Sequence, residues 1–227
     1  MPLNFIALGA GFALVYLAMI ATGRPAEGDW LRSAAKTAAT IPLVTAGLAT
    51  GAPGLIVIGL GLGAAGDWLL SRPGKAMFLA GMAAFALGHI AYALHFFAVL
   101  PPKPPVETVW QLCAILVFAI LWRSTEGWLI PHTKDLRWPV RGYAAVILVM
   151  GCVAFLLPAH PQTHGAAFIR LGVSLFILSD ALLALNLFLA LKPALRQALS
   201  LTLWPAYWGG QALILAGATL YAAPFGR

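Results

Sequence analysis

The chain has 227 residues, of which 61% are apolar types and only 9% are Asp, Glu, Lys or Arg. An ordinary soluble domain is ~45–50% apolar and ~25% charged, so this composition cannot supply a polar shell, and disorder is excluded with it. The net charge of +7 has to be sorted by loop before it says anything about partners, because membrane proteins collect Lys and Arg in short cytoplasmic loops.

Apolar runs separated by Pro, Gly and charged clusters predict eight membrane-spanning helices, at 3–22, 33–50, 53–71, 75–99, 106–122, 139–157, 165–191 and 198–222. A span needs ~20 apolar residues, and eight use up the whole chain. The expected fold class is therefore all-α, one polytopic helical bundle over residues 1–227 with no soluble domain. The first run has no small-residue cleavage site after it and is read as a helix, not a removable signal peptide. Span two carries Lys36 near its start, placed to snorkel to water or to meet a phosphate, and Pro42, expected to kink it. In span three, Gly61, Gly63 and Gly66 fit a dinucleotide fingerprint. That motif works only as a strand-turn-helix element, so Gly59, Gly63 and Gly66 are read instead as positions of close helix approach.

Span four places Phe78, Gly81, Phe85, His89, Tyr92 and Phe96 at spacings of three and four, one face of a helix. His95 points elsewhere and is read as structural. The longest connection runs from Arg123 to Trp138. Cys113 and Cys152 lie inside apolar runs of spans five and six and are read as small core residues, not a disulfide framework. His160 and His164 are too poor in neighbouring donors to make a metal site. Span eight sets Tyr207 and Gln211 one turn apart, flanked by Trp204 and Trp208, which read as packing or interfacial residues.

The first, third, fifth and seventh connections, with the helix ends beside them, hold Arg24, Arg32, Lys36, Arg72, Lys75, Arg123, Lys134, Arg137, Arg141, Lys192 and Arg196. Opposite them stand only Lys103 and Arg227, with Arg170 just inside span seven. This bias places both termini outside the cytoplasm. It also accounts for the basic residues without nucleic acid.

Of seven acidic residues, Glu27, Asp29, Glu107, Glu126 and Asp135 fall in connections or at helix ends; only Asp67 and Asp180 lie within apolar spans. An aspartate at a helix centre costs ~2.5–3.5 kcal/mol on insertion scales, and such residues face the bundle interior and mark functional sites. Both belong to the cytoplasmic half by the charge count. A short echo relates them: Gly66-Asp67-Trp68-Leu69-Leu70 and Ser179-Asp180-Ala181-Leu182-Leu183, on helices running the same way. Five residues are too few to establish a repeat by themselves.

Gly66-Asp67, the span-four series from Phe78 to Tyr92, Ser179-Asp180, and Tyr207-x-x-x-Gln211, in this order within eight spans with Lys36 early in the second, resemble the lysoplasmalogenase family, the YhhN-type membrane proteins. The resemblance covers nearly the whole chain. It implies hydrolysis of the vinyl ether bond of lysoplasmalogens to a fatty aldehyde and glycerophosphoethanolamine or glycerophosphocholine. It implies Asp67 and Asp180 as catalytic aspartates. Lys36, His89, Tyr92, Ser179, Tyr207 and Gln211 are expected to contact the substrate, Lys36 at its headgroup; no cofactor and no metal ligands are assigned, and the sequence does not say whether a metal takes part. The chemistry agrees: protonation of an alkene carbon leaves an oxocarbenium ion that water captures, and glycosidases handle the related cation with one carboxylic acid and one carboxylate.

The expected partners are a lysophospholipid and membrane lipids, and the expected location is a bacterial inner membrane. The competing readings are a proton-coupled transporter of small solutes or lipids that uses the same aspartates, a metal-dependent hydrolase with Asp67, His89 and Asp180 as ligands, and a lipid-binding protein with no reaction. The sequence sets no oligomeric state and does not say which aspartate is the acid.

Overall fold

The computed structural model describes residues 2–23, 29–101, 109–159 and 164–222. Among them lie eight α-helices and no strand. They are α1 (Pro2–Ala21), α2 (Trp30–Thr50), α3 (Gly54–Leu70), α4 (Lys75–Ala98), α5 (Val109–Trp128), α6 (Arg137–Leu156), α7 (Gly165–Phe188) and α8 (Pro193–Ala222). Arg24, Glu27, Lys103, Glu107, His160 and Arg227, used above, lie outside the described residues.

Local chemistry sets the helix ends. Asp29 caps α2, its carboxylate accepting from the backbone N–H of Leu31 at 3.0 Å and of Arg32 at 3.2 Å. Gly51 closes the same helix at φ +64°, a left-handed value that suits glycine. Two elements depart from expectation. α5 runs six residues past residue 122, and the 123–138 connection becomes the end of α5, two 3-10 turns (Ile130–His132 and Lys134–Leu136) and the start of α6. The polar residues there continue the helix because Glu126 on α5 pairs with Arg141 on α6, two nitrogens against the carboxylate at 2.7 and 2.9 Å. α8 begins at Pro193, earlier than position 198, since proline at the first turn gives up no helical hydrogen bond.

Among the described residues, five segments are long and apolar enough to cross a membrane: Leu3–Ala21, Lys75–Ala98, Gln111–His132, Lys134–Leu156 and Gly165–Phe188. α3 is apolar but has 17 residues, roughly 25 Å at 1.5 Å per residue, a little short of the ~30 Å hydrocarbon layer. α2 and α8 are less apolar because they turn Lys36, Thr40, Tyr207 and Gln211 inward. A helix wrapped by others does not need an apolar surface all round.

Consecutive helices pack in two sets, α1 to α4 and α5 to α8. The sets join where α4 lies on α6 and where α8 lies on α1, α2 and α3. α7 and α8 touch backbone to backbone: a Cβ on Gly172 would lie 2.7 Å from the Gly210 carbonyl oxygen, and one on Gly217 2.8 Å from that of Gly165. α5 leans on α6 at the rim of the bundle. Cys113 on α5 is therefore exposed, not in the core as expected, while Cys152 is partly buried; both are free thiols. Leu112, Leu116, Val117 and Ile120 of α5 are likewise exposed, a surface that suits lipid and not water.

α2 continues through Pro42. Proline leaves the Ala38 carbonyl without its helical donor, and at the next carbonyl, Ala39, the Trp208 indole N–H donates at 2.8 Å. Trp204 is fully buried and donates to the Ala13 carbonyl at 2.9 Å. Both tryptophans thus tie α8 to its neighbours.

Candidate functional site

The two intramembrane aspartates occupy separate polar clusters. Asp67, on α3, is 0% exposed. The Lys36 ammonium lies 3.0 Å from its Oδ1, while Thr40 and Tyr207 donate their hydroxyl hydrogens to Oδ2 at 2.9 and 2.8 Å. Behind Tyr207 the bonds continue: the Gln211 amide donates to the Tyr207 oxygen at 2.8 Å, and Tyr92 donates to the Gln211 carbonyl oxygen at 2.7 Å. Four helices, α2, α3, α4 and α8, are linked by this chain. Thr40 stands one turn after Lys36, so one face of α2 supplies both contacts.

Asp180, on α7, forms the second cluster. Tyr143 on α6 donates its hydroxyl hydrogen to Asp180 Oδ2 at 2.7 Å. His89 Nε2 on α4 lies 3.0 Å from the Tyr143 oxygen and 3.2 Å from Oδ2. With the Tyr143 hydrogen committed to the carboxyl, Nε2 must carry a hydrogen to meet both oxygens favourably. Aromatic rings fill the space between the clusters: Phe176 packs edge-on against His89 at 4.6 Å and against Tyr207 at 5.3 Å, centroid to centroid, and Phe85 lies 5.7 Å from Tyr207.

Glycines of α3 make the first cluster possible. A Cβ on Gly59 would lie 2.3 Å from the Tyr92 ring, one on Gly63 2.6 Å from the Gln211 amide nitrogen, and one on Gly66 2.7 Å from the Phe85 ring. Gly61, the remaining member of the dinucleotide-like pattern, meets nothing within 4 Å. The face that approaches other groups is the 59–63–66 face, at helical spacing.

In the second cluster Asp180 borders open space, whereas in the first Asp67 is closed off and Lys36 keeps 16% side-chain exposure. A cavity of about 140 Å³ lies between α4, α5, α6 and α7, with Asp180 and Tyr143 on its wall among apolar residues such as Phe85, Met82, Trp128 and Ile147. Asp180 retains 14% side-chain exposure. Lys36 and Asp67 do not line the cavity.

Of the residues singled out in the sequence, Lys36, Asp67, Tyr92, Tyr207 and Gln211 come together, and His89 joins Asp180. Ser179 does neither: its hydroxyl donates back to the Phe176 carbonyl at 2.7 Å, within its own helix. Asp67, His89 and Asp180 do not converge as a ligand set, and no group of three or more His, Cys, Asp or Glu suited to a metal occurs among the described residues. Arg170 bonds the Leu157 carbonyl at the end of α6. Tyr143 and Thr40 were missed. Tyr143 is a lone hydroxyl in the apolar run of span six, and nothing in sequence pairs it with a residue 37 positions away.

Residues 31–218 match the YhhN family. The chain belongs to this family. The match spans α2 to α8 almost entirely and so contains every residue of both clusters. No curated protein and no solved structure matches the chain.

Proposed function

We propose that this YhhN-family protein is an intramembrane hydrolase that cleaves the vinyl ether bond of a lysoplasmalogen-type lysolipid, with Asp180 as the reacting carboxyl. One observation carries the reading: a carboxyl held by Tyr143 and His89 stands on the wall of a predominantly apolar cavity between helices of the bundle. Apolar walls suit an alkenyl chain. The carboxyl is the one group there able to give up a proton to carbon.

The chemistry follows from that placement. Asp180 transfers its proton to the alkene carbon remote from the ether oxygen, and the electrons of the double bond form the new C–H bond. The oxocarbenium ion left behind is stabilised by the carboxylate. Water adds to the cationic carbon and returns one proton to the carboxylate, giving a hemiacetal. Its collapse releases the fatty aldehyde and the glycerol hydroxyl of glycerophosphoethanolamine or glycerophosphocholine. Tyr143 and His89 hold Oδ2, leaving Oδ1 for the proton that moves. Positioning and general acid catalysis of this kind are each worth orders of magnitude.

The orientation proposed from the basic residues puts the Asp180 end of the cavity in the cytoplasmic half of a bacterial inner membrane, where a single-chain lipid enters from the inner leaflet. The test follows the proton. In heavy water, with the aldehyde trapped before exchange, the product carries one deuterium on the carbon next to the carbonyl, and a saturated ether analogue binds without reacting. Trapped aldehyde without deuterium overturns the mechanism. Solute flux in proteoliposomes without aldehyde release would mean transport in its place.

A further inference from the structure

Asp67 and Asp180 hold corresponding positions in the two four-helix sets. Each follows by eight residues a glycine, Gly59 or Gly172, that touches a glycine of the next helix: a Cβ on Gly88 would lie 3.2 Å from the Gly59 carbonyl oxygen, and one on Gly172 2.7 Å from that of Gly210. The residue after that second glycine is His89 in one set and Gln211 in the other, each preceded one turn earlier by an aromatic, Phe85 or Tyr207. Each aspartate is met by the second helix of its own set, α2 or α6, and by the fourth helix of the opposite set, α8 or α4.

Alike in place, the two differ in chemistry. Asp67 is sealed and faces three donors, one of them an ammonium. Every bond in its chain points one way, from Tyr92 to Gln211 to Tyr207 to the carboxylate. Such a group is acceptor-only, and protonating it would take the counter-charge from the Lys36 ammonium, which is largely but not fully withdrawn from water, and so would cost stability. Asp180 has contacts on Oδ2 and faces the cavity.

We propose that Asp67 is an ionised anchor that positions α4 through Tyr207, Gln211 and Tyr92, and that Asp180 alone exchanges a proton with the substrate. Tyr92 and His89 are one turn apart on α4, so the anchored end of the chain sets the depth at which His89 meets Asp180. The assignment of Asp180 rests on the hydrolase reading; the ionic anchor does not.

The experiment measures thermal melting in detergent, turnover of a vinyl ether lysolipid, and the pH profile of kcat for the wild type, D180N, D67N and the double variant K36M/D67N. D180N keeps its melting temperature and loses turnover by at least ~100-fold. D67N, with the Lys36 charge unpaired, melts lower and turns over slowly. K36M/D67N removes both charges, while the amide oxygen still accepts from Thr40 and Tyr207. It recovers most of the melting temperature, turns over within about tenfold of wild type, and keeps the wild-type pH profile, which a loss of general acid catalysis of ~10²–10⁴ would not allow. A double variant that melts like wild type yet is as inactive as D180N, or has lost a limb of the profile, overturns the proposal by showing that Asp67 carries a proton. A double variant melting no higher than D67N overturns the ionic anchor. A wild type that leaves the lysolipid intact defeats the hydrolase reading instead, and the melting data still decide the anchor.

Discussion

The proposed chemistry rests on a few side chains whose environments differ sharply: Asp67 is closed off beside Lys36, and Asp180 borders a cavity. Tyr143→Phe removes the 2.7 Å donor to Asp180 Oδ2 without changing shape. A hydrogen bond to a charged or charging group is worth ~1.5–3 kcal/mol, so kcat should fall roughly 10- to 100-fold while KM, set by chain burial in the cavity, changes little. A KM rise with kcat unchanged would move Tyr143 from the reacting centre to the substrate-binding surface. His89→Gln should lower kcat by less than D180N, because an amide N–H can still reach the Tyr143 and Asp180 oxygens.

At the scale of the helix, α3 works as a spacer whose missing side chains admit other residues. Gly59→Ala forces the Tyr92 ring to move from a position only 2.3 Å away, and overpacking of this kind costs ~1–3 kcal/mol. The melting temperature should fall and turnover with it, since Tyr92 leaves Gln211. Gly61→Ala is the matched control: nothing lies within 4 Å, and alanine gains up to about 1 kcal/mol of helix propensity. Equal melting temperatures for the two variants would show that the 59–63–66 face is not where the packing is tight. The same comparison explains what was legible. Helical spacing and composition pick out the glycines and the polar residues of α3, α4 and α8, because a bundle buried in lipid gives a polar residue few places to go. They do not pick out Thr40 or Tyr143, single hydroxyls whose significance comes wholly from residues 27 and 37 positions away.

For the whole molecule, the proposed hydrolase reading makes orientation decisive, because it sets which leaflet would feed the cavity. In a background with Cys113 and Cys152 replaced, single cysteines in the connection from Leu129 to Leu136 should react with impermeant reagents only from the cytoplasmic side, and a cysteine in place of Lys103 only from outside. The reverse pattern would overturn the orientation and the leaflet together.

The sequence by itself determined that the chain is an all-helical membrane bundle, where its eight helices lie, and that it belongs among the YhhN proteins, because apolar periodicity and short ordered motifs are local properties. It also selected Asp67 and Asp180, because a carboxyl within an apolar run is costly wherever the helix ends up. Only the tertiary structure decided that the two have different partners, in separate hydrogen-bonded clusters. Helix-to-helix contact places Lys36, Thr40 and Tyr207 around Asp67 and closes it off, and leaves Asp180 between Tyr143, His89 and a cavity. Burial and pairing are set by which helices pack side by side, and that depends on contacts between residues far apart in the chain, which no local spacing reveals.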